Sequence, residues 1–404
     1  MPERHVDHLL IGGGIACASA ATTLRKEGAD GSVLLVGREL DAPYHRPPAT
    51  KEYLRGEQSR DDVLIHPAAW YAEHDVELLT RTSVMSLDPA ARTATLSTKE
   101  ELSFGQALVA TGSTVRRLDV EGAQHDGIHY VRALGNADAV RADAEGRATA
   151  VVVGGSYLAC EVAASLTVLG LQVTMVMIEA EPHERGFGLR VGRWVRSVLE
   201  DHGVTLVRSD EVARFANVGD RISGVVTGGE RELPADLVVA GVGGAPDVML
   251  ARRAGLELGA AGGIRCDERL RTTVSRDVLA AGDVCEYASV VHGGPIRVEH
   301  EVHAESQGAF AARTMLGADE PYREVPYFFS DIADWISFEY VGPAHGWDRE
   351  VVRGSIDDGE FSVFYLADGA VKGALSVGRS GDLDAARELI ASGEAIGEEG
   401  VRAL

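Results

Sequence analysis

Twice in this chain an apolar run ends in a glycine turn and continues as an alanine-rich helical stretch: VDHLLIGGGIACASAA over residues 6–21 and ATAVVVGGSYLACEVAASL over residues 148–166. Each is followed by a second apolar run, SVLLVG at 32–37 and LQVTMVMI at 171–178. Strand, tight turn, helix and strand in that order make a βαβ unit, and βαβ units build parallel sheets covered by helices. In a G-x-G-x-x-G turn the first glycine makes the bend, the second lets backbone N–H groups approach a pyrophosphate, and the third allows close helix–strand packing. Gly12 and Gly14 fill the first two places in the first loop, with small Cys17 in the third. Gly154, Ser156 and Ala159 fill them in the second. One such turn is a weak signal; two in βαβ context predict two nucleotide sites.

The acid that holds a nucleotide ribose stands about 20 residues beyond such a loop. After the first loop the candidates are Arg38 and Glu39. After the second it is Glu179, which favours NADH by accepting from the 2′-hydroxyl, while Arg185 close behind suits the 2′-phosphate of NADPH.

A chain of 404 residues, 45% apolar, is long enough for two or three cores. Its formal charge of −23 argues against a general nucleic-acid binder or an anionic-membrane partner, which it would repel at long range. The start PERHVDH has no apolar core, and the most apolar stretch, 162–178, is broken by Gly170 and Gln172, so a helix and then a strand are expected rather than a membrane span, in a cytoplasmic protein. Cys17, Cys160, Cys266 and Cys285 form no C-x-x-C pair, so they read as packing residues, with no metal site. Strand–helix alternation runs to about residue 320. Beyond Pro326 the pattern becomes short strands, WISFEYVG, EFSVFYL and AVKGALSV, closing with a helix in LDAARELIASG.

These residues bring a resemblance with them. Over nearly its whole length the chain resembles the FAD-dependent pyridine nucleotide reductases of the ferredoxin, putidaredoxin and rubredoxin reductase type, and shares details with apoptosis-inducing factor. The stretches that carry it are IGGGIACASAA, PYHRPPATKEYL (43–54), ALVATGS (107–113), GGSYLACEVAASL, VLAAGDV (278–284), RVEHEVHAESQGAFAARTMLG (297–317) and VPYFFSDIADWISFEYVG (325–342). The fold class it implies is α/β: two doubly wound, Rossmann-like nucleotide-binding domains of the glutathione-reductase kind, plus a C-terminal α+β domain with an antiparallel sheet. The boundaries expected are 1–114 and 243–322 for the FAD domain, 115–242 for the NAD(P)H domain and 323–404 for the last.

The resemblance gives FAD the residues Gly12, Gly13, Gly14, Ile15, Ala16, Arg38, Glu39, Arg46, Lys51, Arg132, Asp283, Glu299, His300 and Phe329. Asp283 would bind the ribityl chain, Arg46 would lie near the ring or diphosphate, and Lys51 would lie near N5. To NAD(P)H it gives Gly154, Gly155, Ser156, Tyr157, Leu158, Glu161, Glu179, Arg185, Gly243 and Glu339. Glu161, placed in the first turn of its helix, would pair with Lys51, so Lys51, Glu161 and His300 are the catalytic candidates. The helix expected to begin near Glu299 and His300 would aim its N–H groups at the pyrimidine edge of the ring, where reduction leaves negative charge. Glu301 stands where ferredoxin reductases of this type carry tryptophan, and Phe329 replaces the tryptophan of F-W-S-D. Disulfide reductases of related architecture place a cysteine pair on the helix that here reads RPPATKEYL, and peroxidase relatives a single cysteine nearby; neither is present. Direct electron transfer to an iron–sulfur carrier, ferredoxin or rubredoxin, is therefore the expected exit, from a monomer or homodimer. An apoptosis-inducing-factor-like binding role and reduction of quinones or other small acceptors are the alternatives.

Overall fold

The computed structural model of the chain describes residues 4–343 and 346–404. They form two compact units, one from Met1–His45, Val63–Thr114 and Ala245–Phe328, the other from Arg46–Asp62, Val115–Gly244 and Phe329–Leu404.

In the first unit a parallel sheet runs in the order Val76–Leu79, Val33–Val36, Arg4–Ile11, Glu101–Val109, with Val278–Ala280 also pairing to Glu101–Val109. Two antiparallel strands, Thr93–Leu96 and Val84–Asp88, extend it. Val33–Val36 and Val278–Ala280 are buried at every position, as a sheet covered on both faces requires. The helix Ile15–Lys26, opened by the first glycine loop, packs against the helix Glu301–Met315. A Cβ on Gly308 would stand 2.1 Å from the Ala16 carbonyl oxygen, so the two backbones meet where no side chain fits.

The second unit holds an all-parallel sheet in the order Thr205–Val207, Gln172–Val176, Thr149–Val153, Leu237–Ala240, Ile128–His129. The helix Tyr157–Val168 follows the second glycine loop. This unit also holds a five-stranded sheet in the order Tyr327–Ile332, Ile336–Val341, Ala370–Val377, Glu360–Ala367, Arg349–Ser355, whose last four strands pair antiparallel. Both nucleotide folds and the antiparallel C-terminal sheet of the expected α/β class are present.

Several local expectations need correction. The C-terminal sheet has five strands where the pattern suggested three. Tyr327–Ile332 hides behind an aromatic run, Arg349–Ser355 behind two arginines, and a short helix, Gly397–Ala403, follows the expected one. RPPATKEYL is no continuous helix: the Pro47–Thr50 3₁₀ turn gives way at Lys51, with φ −123° and ψ −118°, to a helix of only Glu52–Arg55. Glu161 is the fifth residue of Tyr157–Val168, beyond its first turn. The last long helix of the first unit begins at Glu301, with His300 as N-cap: its Nδ1 accepts from the Val302 N–H at 3.3 Å.

Gly308→Ala is expected to cost about 1–3 kcal/mol, the usual penalty for forcing a methyl into a closed contact, read as a fall in the urea midpoint at unchanged slope.

Candidate functional site

Both glycine loops end in a helix whose first-turn N–H groups have no partner of their own. Gly14 and Ser156 are extended N-caps without a side-chain cap bond, and neither helix carries an acid in its first turn. Four backbone donors at each start therefore await an outside acceptor, with the positive end of the helix behind them. A Cβ on Gly14 would meet nothing within 4 Å, so the first turn faces open space. Gly13 lies flat against Gly37, and in the second loop Gly155 lies against Met177 and Glu179. These are shapes and donors that fit a dinucleotide phosphate at each loop.

Around the first loop, Arg38 is exposed and bonded to Asp247 at 2.8 Å, while Glu39 accepts the Tyr44 hydroxyl. Asp283 follows the strand Val278–Ala280 in the turn Gly282–Val284; it accepts the Ser113 hydroxyl at 2.7 Å, and its carbonyl accepts from Arg297 at 2.9 Å. The same arginine pairs with Glu299 at 2.5 Å. Gln307, buried on the helix behind, accepts the Gly282 N–H at 2.8 Å and so fixes the turn that presents Asp283. His300 stands beside Phe328, ring centroids 5.4 Å apart. Glu301, which stands in the place the resemblance gives to tryptophan, pairs with His45 at 2.7 Å. That hydrogen bond, more than the nearby charges of Glu301 and Glu305, holds the imidazole above its usual range, against a smaller opposing effect of burial.

Around the second loop, Glu179 pairs with Arg185 at 2.9 Å, so the two candidate ribose residues bind each other. Tyr157 and Leu158 open the helix, and Gly243, at φ +95°, accepts the Arg116 N–H through its carbonyl. Glu339 lies in the strand Ile336–Val341 and accepts the Ser380 hydroxyl.

Arg46, Lys51, Arg132 and Phe329, which the resemblance gives to FAD, belong to the second unit. Arg46 donates to the Arg132 carbonyl at 2.8 Å, and Asn136 accepts the N–H groups of Arg132 and Ala133. Lys51 is 3% exposed, and its ammonium lies 3.0 Å from Asp331, 3.5 Å from Glu161 and 5.0 Å from the centre of the Phe329 ring. Glu161 accepts from the hydroxyls of Thr50 at 2.6 Å and Ser330 at 2.5 Å. Burial pushes its carboxyl above the ordinary range, against the opposing pull of Lys51 and the two hydroxyls. Thr50, Ser330 and Asp331 were not among the expected site residues, although the last two lie in the stretch Phe328-Phe329-Ser330-Asp331 that carried the resemblance.

All four cysteines are free and buried; burial raises the thiols of Cys17, Cys160 and Cys285. Among the described residues no group of three or more His, Cys, Asp or Glu could hold a metal ion, and no helix is long and apolar enough to cross a membrane.

The sign of the His45 shift sets a pH dependence. A raised imidazole contributes stability that is complete below its unfolded value near 6.5 and is lost as pH rises through the folded value. Following the His45 ring by NMR, Glu301→Gln is expected to lower its titration midpoint.

Comparison with known proteins agrees with this geometry. Residues 327–402 match the reductase C-terminal family. Rhodocoxin reductase of Rhodococcus erythropolis is 32% identical over 95% of this chain and 89% of its own length. The 5,5'-dehydrodivanillate O-demethylase ferredoxin reductase subunit of a Sphingobium species is 33% identical over 96% and 94%. Among solved structures, a ferredoxin reductase from Rhodopseudomonas palustris superposes with a TM-score of 0.93 at 30% identity, covering 98% of this chain and 97% of that one. Putidaredoxin reductase in its covalent complex with putidaredoxin gives 0.92 at 28%, covering 100% and 96%. With two uncapped glycine-turn helix starts on parallel sheets, and a family match spanning residues 6–308, this chain belongs to the pyridine nucleotide-disulphide oxidoreductases.

Proposed function

We propose that this protein is a cytoplasmic, FAD-dependent NAD(P)H oxidoreductase that takes hydride from NADH and passes electrons singly to an iron–sulfur carrier of the ferredoxin or rubredoxin kind. The observation that carries the exit route is the state of the thiols. Every cysteine is buried, and none stands in the segment around Lys51, so no thiolate is available to relay electrons as a disulfide would. The chemistry a bound FAD supplies is acceptance of two electrons as hydride and their release one at a time.

The chain's own residues have the remaining tasks. In this reading the N–H groups at Gly14, Ile15 and Ala16 hold the FAD pyrophosphate, Glu39 and Arg38 its adenosine end, and Asp283 its ribityl hydroxyls. The helix start at Glu301, capped by His300, faces negative charge favourably. The N–H groups after Ser156 hold the NADH pyrophosphate, and Glu179 accepts from the ribose 2′-hydroxyl. Lys51 supplies a buried positive charge whose position is fixed by Glu161 and Asp331. The expected division into domains at 114/115, 242/243 and 322/323 belongs to the same proposal.

The test begins with colour. Purified protein should carry a flavin spectrum that NADH bleaches, and NADH-driven cytochrome c reduction should require an added iron–sulfur carrier. Colourless protein that takes up no FAD on reconstitution overturns the reading, and a bleached state that turns over poorly with every carrier overturns the exit route. Lys51→Ala is expected to slow reduction by NADH about tenfold or more, a rise of about 1.4 kcal/mol in the barrier, by stopped flow. Glu179→Ala, which removes the ribose acceptor and frees Arg185, is expected to shift the NADH:NADPH ratio of kcat/KM toward NADPH by about tenfold.

A further inference from the structure

The hydrogen bonds around Glu161 contain one acceptor too many for an ionised carboxylate. Thr50 Oγ1 lies 2.6 Å from Glu161 Oε2 and 3.0 Å from the Pro47 carbonyl oxygen. A threonine hydroxyl has a single proton to donate. If Glu161 is ionised, both neighbours are acceptors and one of these contacts sets oxygen lone pairs against each other. If Glu161 Oε2 carries a proton, that proton goes to Thr50 Oγ1 and the threonine proton goes to Pro47, so every atom is satisfied. Its other oxygen, Oε1, accepts from Ser330 at 2.5 Å.

The charges around Lys51 point the same way. One ammonium faces two carboxylates, and the nearer is Asp331, at 3.0 Å against 3.5 Å for Glu161. Asp331 is a third open to solvent, and its other oxygen accepts from Ser337 at 2.8 Å. Glu161 is buried, where a second anion is the costly one to keep. The remaining titratable neighbours give it no compensating charge: burial raises both Tyr157 and Cys160 and so keeps them neutral, and Arg55 is committed to Glu57, Glu52 and Ser165.

We propose that Glu161 holds a proton at neutral pH and donates it to Thr50, and that the ion-pair partner of Lys51 is Asp331. Asp331 is then the positioning residue for Lys51, and Glu161 the neutral member of the cluster. Lysine, aspartate and protonated glutamate sum to zero charge. An ionised Glu161 would leave a net negative charge beside the lysine and oppose the arrival of hydride. This last consequence rests on the proposed function; the protonation state does not.

The test is infrared spectroscopy of the holoprotein at neutral pH, taken as a difference between wild type and Glu161→Gln. The carbonyl stretch of an undissociated carboxylic acid, shifted down in D₂O, is expected in wild type and missing from the variant; a difference containing only carboxylate bands overturns the proposal. Asp331→Asn removes the nearer anion, so Glu161 should ionise as the remaining partner of Lys51 and the acid band should vanish there as well. A band unchanged in Asp331→Asn overturns the pairing, since a merely structural role for Asp331 would not move it. If Glu161→Gln does not fold, ¹³C-glutamate NMR of the wild type decides the matter: one carboxyl must titrate above neutral pH, and a complete set of carboxylates at neutral pH overturns the proposal. Failure of the protein to bind FAD or to be reduced by NADH would strike the functional reading, and the same spectra taken on the protein without flavin would still decide the protonation state.

Discussion

Both nucleotide folds turn on the same close approach of backbone to backbone. At Gly12, φ +138°, a Cβ would stand 2.1 Å from the carbonyl oxygen of Ala110; at Gly154, φ +127°, it would stand 2.3 Å from that of Gly241. In each case the carbonyl belongs to the residue just past a neighbouring parallel strand, Glu101–Val109 or Leu237–Ala240. The chain can leave its strand sharply enough to start a helix above the sheet edge only by brushing this carbonyl, and only glycine permits that. The bare helix starts, the acids Glu39 and Glu179 one strand further on and the loops beyond all take their places from that bend. The second copy repeats the geometry with little shared sequence, so the constraint lies in the backbone and not in a motif.

That is why the nucleotide folds were legible in the sequence. A positive φ at a crowded turn leaves a glycine in the text, and a strand buried on both faces leaves a run such as VLLV or VVV. The cluster around Lys51 left less to read. Lys51 and Glu161 were picked out as a pair through the family resemblance, but the further members of the cluster were not, because a hydroxyl or carboxylate that closes a buried cluster can come from any sequence distance: Thr50 is the neighbour of Lys51 and Asp331 lies 280 residues on. Periodicity could not supply Ser330 and Asp331 either. They stand in Tyr327–Ile332, a strand whose first three residues are all aromatic and therefore show no alternation.

Where the chain departs from the pattern the resemblance implies, neighbouring residues accommodate the change. Glu301 puts an anion in the first turn of a helix, a position the helix dipole favours, in place of a large ring. His45 meets it at 2.7 Å, and the pair leaves that corner nearly neutral while His45 is protonated. The overall charge of −23 is handled similarly: Glu181 alone lies within 4.0 Å of Arg193, Arg196 and Arg208, and Asp143 is met by Arg147, Arg221 and His129. Arginines committed to carboxylates in this way leave the long-range field negative, so attraction of any acidic protein would need a local surface.

The buried lysine is the costly element of the second unit. Desolvating an ammonium costs several kcal/mol, and a single well-placed anion returns only part of it. Two anions would return more Coulomb energy to the lysine but would each carry a desolvation cost of their own. One ionised aspartate at the solvent edge and one neutral glutamic acid inside satisfy both demands: the lysine has its counter-ion where water still helps to solvate it, and the interior holds only hydrogen bonds. The short contacts from Thr50 and Ser330 then act as a proton-counting frame, because each hydroxyl has a fixed number of protons and the carbonyl of Pro47 claims one of them. The rigidity of the Pro47-Pro48 turn is what keeps that carbonyl in place, so the proline pair helps to set the charge state of a carboxyl group more than 100 residues away.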